Sequence, residues 1–93
     1  MQRYFIYLSY DGTRYHGWQI QPHSSSVQAE LQRALTVLLR EKVDVVGAGR
    51  TDTGVHARVM VAHIDIDRSI EGTQLAYKLN RVLPRDIAVD RVE

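Results

Sequence analysis

The segment Gly47-Ala48-Gly49-Arg50-Thr51-Asp52-Thr53-Gly54-Val55-His56-Ala57 sets a guanidinium, a carboxylate and an imidazole close together in a glycine-rich stretch. Three glycines at 47, 49 and 54 suit a backbone that turns sharply or lets a large group approach. A carboxylate beside a cation stays ionised when it is sheltered from water, the state that a general base or a nucleophile requires. The same residue types also make an ordinary connecting turn, since Asp and Gly are common turn residues. A phosphate-cradling glycine loop would need a helix N-terminus or a Walker lysine after it, and neither follows here. Taken alone, Arg50 reads as a solvated loop cation. His56 either touches a substrate backbone or satisfies loop carbonyls, and Arg58 either meets a phosphate or is solvated. The four histidines show no ligand spacing with a carboxylate or thiol, which argues against a metal site.

The elements that must hold this segment are legible from periodicity. Tyr4–Asp11 alternates Tyr4, Ile6, Leu8 and Tyr10 against Phe5, Tyr7 and Ser9, the pattern of a strand, and Asp11-Gly12 ends it. Thr13–Ser24 has no regular period and contains Gly17 and Pro22, so it reads as a long loop, with Tyr15 and Trp18 as anchors on the core or as contacts to a partner. Ser25 or Ser26 is positioned to cap a helix, with Gln28 completing a capping box with Ser25. Val27, Leu31, Ala34, Leu35 and Leu38 then form one apolar stripe of a helix ending near Arg40. Asp44–Ala48 reads as a short strand. Val59–Asp67 is the clearest strand, with Met60, Ala62, Ile64 and Ile66 on one face and Val59, Val61, His63 and Asp65 on the other. A second helix is expected from about Thr73 to Val82, stopped by Pro84, and Ile87–Val92 reads as the last strand. The order β-α-β-β-α-β predicts an α+β, ferredoxin-like domain: a four-stranded antiparallel sheet with two helices on one face. Its other face, bearing Phe5, Tyr7, Val61 and His63, is expected to stay open to a partner, with His63 packed and hydrogen-bonded.

Composition narrows the class without choosing a function. The 93 residues have room for one domain; 44% apolar and 25% charged residues are ordinary globular values. Zero cysteines exclude a disulfide scaffold, a thiolate metal site and a thiol nucleophile, and fit a reducing cytoplasm. No apolar run has the length of a membrane span, and Met1-Gln2-Arg3 leads directly into a strand rather than a secretory leader. Twelve Lys and Arg against eleven Asp and Glu leave a net charge of +1, which neither announces nor forbids a polyanion. All the cations except Lys42 and Lys78 are arginine, the side chain suited to bidentate phosphate contacts.

Gly49–Ala57 resembles the catalytic motif of the tRNA pseudouridine synthase A family. Tyr10-Asp11-Gly12-Thr13 with Tyr15-His16-Gly17-Trp18-Gln19, then Ser26-Val27-Gln28, then Leu83-Pro84-Arg85-Asp86-Ile87-Ala88-Val89 agree with that family in order and spacing. The resemblance extends over essentially the whole chain. It implies residues 1–93 as the N-terminal half of an enzyme that isomerises uridine to pseudouridine in the anticodon arm of tRNA, at positions 38–40. Family members have two similar α+β halves flanking a basic cleft, act as homodimers and run to more than twice this length. The other half, absent from this chain, supplies an active-site tyrosine, a basic partner for the aspartate and part of the RNA cleft.

The resemblance also implies residue roles. Asp52 stands at the catalytic position, and Arg50 where the family uses an arginine to displace the target base and pair with the carboxylate. Thr51, His56 and Arg58 join Arg50 as expected tRNA-binding residues. The reaction breaks the N1–C1′ bond, turns the uracil and joins C5 to C1′, so it calls for no metal and no small-molecule cofactor. The competing classes are a stand-alone RNA-binding module and a small-molecule regulatory domain. Against the first, neither Tyr4–Asp11 nor Val59–Asp67 carries an RNA-recognition-motif aromatic pattern. The second has no use for Arg and Asp together in a glycine-rich loop.

Overall fold

The computed structural model describes residues 1–11, 26–47 and 57–93, at 57–59 the backbone alone. The elements are β1 (Gln2–Tyr10), α1 (Val27–Leu39), β2 (Val46–Gly47), β3 (Ala57–Ile66), α2 (Gly72–Val82) and β4 (Ile87–Val92). They form one antiparallel sheet in the order β2-β3-β1-β4, the ferredoxin-like arrangement.

Alternation decides which face is buried. Ile6 and Leu8 of β1 and Ile64 of β3 are fully enclosed, and Tyr10, Met60, Ala62 and Ile66 join them on the same side. Across the β1–β3 ladder, Ile6 stands opposite Ala62 and Leu8 opposite Met60, so large side chains alternate with small or flexible ones. Onto this face α1 sets Val27, Leu31, Ala34, Leu35 and Leu39, and α2 sets Leu75, Ala76 and Leu79, all in one continuous core. Leu38, on the expected stripe, is only partly buried against that core, and Val82 is 46% exposed.

The ends of the helices follow from local chemistry. Ser26, fully buried, caps α1 by accepting from the Ala29 amide at 3.2 Å. The cap is therefore Ser26 rather than Ser25. Gln28 then sits at the second helical position, one short of a capping box, and its amide donates instead to the carbonyl of Val45. At the other end Arg40 adopts a left-handed conformation (φ 58°), and Arg68 donates to the Leu39 carbonyl at 2.7 Å. Glu71 caps α2 through the amides of Thr73 and Gln74.

One strand begins later than its sequence suggests. Of the described residues 44–47, Val46 and Gly47 pair with β3, opposite His63 and Ala62. Val45 lies just outside the ladder because helix side chains hold its backbone: its amide donates to Gln32 Oε1 at 2.9 Å, and its carbonyl accepts from Gln28 Nε2 at 2.5 Å. Ala48 lies outside the described residues.

Candidate functional site

The sheet topology fixes both ends of the Arg50–Asp52 segment. The chain leaves β2 at Gly47, opposite Ala62 of β3, and enters β3 at Ala57, opposite Tyr10 of β1. Arg50, Thr51, Asp52 and His56 lie between these points and outside the described residues, as do Tyr15 and Trp18. Arg58 is the second residue of β3, placed there by its backbone.

The sheet face away from the helices carries the other candidate groups. One row runs Val46, His63, Phe5 across β2, β3 and β1; the next runs Val61, Tyr7, Arg91 across β3, β1 and β4. Phe5 and Val46 are 40% and 50% exposed, and His63, Tyr7 and Val61 are half-buried. His63 meets Phe5 edge to face, with centroids 6.2 Å apart and an angle of 64°. The contact that packs this histidine is thus a ring contact across the strands. The Arg91 guanidinium lies 3.9 Å from the centre of the Tyr7 ring, and its Nε is 2.9 Å from a Glu93 carboxylate oxygen. The ring and the carboxylate together fix a cation on the open face.

A second fixed charge pair borders the first row. Arg3 and Asp65 face each other across β1 and β3 and form a two-pronged contact, Nε to Oδ1 at 2.8 Å and Nη2 to Oδ2 at 3.1 Å. The hydrogen bond from Arg3 holds the Asp65 carboxyl below its ordinary pKa, and the same contact raises that of Arg3. Among the described residues, no three His, Asp or Glu side chains are grouped as a metal ion would require. No described helix is long and apolar enough to cross a membrane.

Periodicity did not reveal the grip of Gln28 and Gln32 on Val45. The available signal was two glutamines one helical turn apart on α1, beside its apolar stripe. Arg91 over Tyr7 was equally hidden, because the two residues lie 84 positions apart in the chain, from 7 to 91.

Comparison with known proteins brings the loop and the fold together. Residues 6–93 match the family model described as tRNA pseudouridine synthase. A tRNA pseudouridine synthase A of Bacteroides thetaiotaomicron is 63% identical over 92 residues, 99% of this chain and 34% of the relative. The protein of that name from Bacteroides fragilis is 57% identical over 93 residues, 99% of this chain and 37% of the relative. The one from Ruminiclostridium cellulolyticum is 46% identical over 93 residues, all of this chain and 38% of the relative. The chain therefore spans about a third of the length of the curated relatives it matches. With a match from the first strand to the last residue, the chain belongs to the tRNA pseudouridine synthase family.

Proposed function

We propose that this chain is the N-terminal part of a tRNA pseudouridine synthase that isomerises uridine in the anticodon arm, at positions 38–40, with Asp52 as its catalytic carboxylate. The observation that carries the reading is the family match over residues 6–93, which includes the whole Gly49–Ala57 segment between β2 and β3. Asp52 serves the cleavage of the N1–C1′ bond as a nucleophile or as the base for a ribose proton, and both roles require it ionised. Arg50 neutralises it against desolvation and fills the space left when the uridine swings out of the stem, a move that costs a few kcal/mol. Thr51, His56 and Arg58 contact the RNA beside it. The detached uracil turns, C5 bonds to C1′, the C5 proton leaves to solvent, and N1, freed from C1′, takes up a proton. Atoms balance without redox change, phosphate transfer, metal or cofactor. The enzyme works as a cytoplasmic homodimer on tRNA.

The test is Asp52→Asn in the complete native protein. The amide keeps the size of the side chain and removes its charge and basicity. Pseudouridine formation should fall to background while tRNA binding stays within about threefold, because a single neutral substitution leaves the phosphate contacts in place. Substantial turnover by the variant takes Asp52 out of the central role.

A further inference from the structure

We propose that Gln28 and Gln32 are positioning residues for the reaction, holding the backbone from which the Asp52 segment springs. The inference rests on the reading under Proposed function. Three observations carry it. The first is the strength of the grip: the two carboxamides, one helical turn apart on α1, take both backbone polar groups of Val45, at 2.5 Å and 2.9 Å. The backbone dictates their orientation. An amide N–H only donates and a carbonyl only accepts, so Gln32 must present its oxygen and Gln28 its nitrogen. The second is the weakness of the alternative support. Among the described residues, β2 joins the sheet at Val46, one residue after Val45, so no described ladder pair holds Val45 itself. The third is the rigidity of the base. Gln28 stands in the first turn of a helix capped by the buried Ser26, and the Val45 side chain is itself 1% exposed in the core.

Val45 precedes Asp52 by seven residues and Gly47, the last residue of β2, by two. Catalysis responds steeply to such placement: a shift of about 1 Å in a reacting group can cost about a hundredfold in rate. A grip on Val45 therefore registers in turnover rather than in RNA affinity, which is spread over many phosphate contacts. From α2, Asn80 makes a comparable double contact with the backbone of Val89, but Val89 lies inside β4, which runs on to Val92, whereas Val45 lies just before β2. That contact is the structural counterpart against which the glutamines are to be compared.

The experiment uses the complete native protein and reads kcat, KM for tRNA and the thermal midpoint, assayed well below each variant's unfolding range. Gln28→Glu removes the donor and sets a carboxylate against the Val45 carbonyl, so kcat should fall about tenfold or more with KM within about twofold. Gln28→Met, similar in length and without a donor, reads the same loss should the glutamate variant fail to fold. Gln32→Ala should lower kcat in the same way, and Gln32→Glu, whose carboxylate accepts the same N–H, should restore it. Wild-type kcat in both Gln28 variants overturns the proposal. So does failure of Gln32→Glu to rescue, or a loss confined to KM. A wild-type protein that forms no pseudouridine overturns the reading on which the proposal rests, a result distinct from active wild type with indifferent variants.

Discussion

In the role proposed for Arg50, the charge and the shape of the side chain make separable demands. Holding Asp52 ionised requires a cation, which lysine also supplies; occupying the place of an extruded base requires a flat group that stacks and donates along an edge. Arg50→Lys keeps the net charge at +1 and removes only the planar fork. In the complete native protein this variant should lose turnover by about tenfold or more, with the thermal midpoint unchanged within error, since a polar side chain between strands contributes little to a core. Near-normal turnover would reduce Arg50 to a counter-ion. The types and spacing of Arg50, Asp52 and His56 made the segment a candidate for chemistry and did not choose among a turn, a base and a nucleophile. A carboxylate reads the same in each of those settings until its neighbours are known.

Periodic burial carries far in the elements and then stops. Ile6, Leu8, Met60, Ala62, Ile64 and Ile66 alternate inward, and Leu31, Leu35, Leu75 and Leu79 recur at helical spacing, so the order of elements and the buried face were legible in the sequence. The start of β2 was not, because it goes with side chains that reach backbone far along the chain, Gln28 to Val45 and Gln32 to Val45. Such contacts leave no period. The β4 edge shows the same device. Asn80 donates to the Val89 carbonyl at 2.8 Å and accepts from its amide at 2.7 Å, so this part of the sheet edge offers no free pair of groups to another strand. Asn80→Ala should cost about 1–3 kcal/mol by denaturant unfolding, with kcat unchanged, because it strands both groups. Near the end of that strand, a Cβ built at Gly72 would stand 2.2 Å from the Val92 carbonyl oxygen, a clash with backbone that no rotamer relieves. Gly72→Ala should therefore destabilise by about 1–3 kcal/mol despite alanine's better helix propensity, as forced shifts in packed regions do. A stabilised Gly72→Ala would show that α2 can move off β4 freely.

At the scale of the whole molecule, the sheet is finished on one side and open on the other. The helices close the core, while the opposite face presents Phe5 at 40% exposure and Val46 at 50%, with the Arg91 cation held over Tyr7. A uridine swung out of an RNA stem has to be enclosed on several sides for its glycosidic bond to break away from bulk water. The sheet face is one wall. The relatives extend to about three times this length, since the aligned region is 34–37% of them, and under the proposed function the opposing wall comes from that further length. The net charge of +1 also gives these 93 residues little electrostatic hold on RNA by themselves. The 93-residue chain alone should thus release no measurable C5 tritium from uridine-labelled tRNA, the label freed when C5 joins C1′. Its RNA binding should be weak and should vanish between about 50 and 200 mM salt, as expected of a few phosphate contacts. Multiple turnovers by the purified chain would show that one wall suffices, and would move the whole catalytic apparatus into the span from β1 to β4.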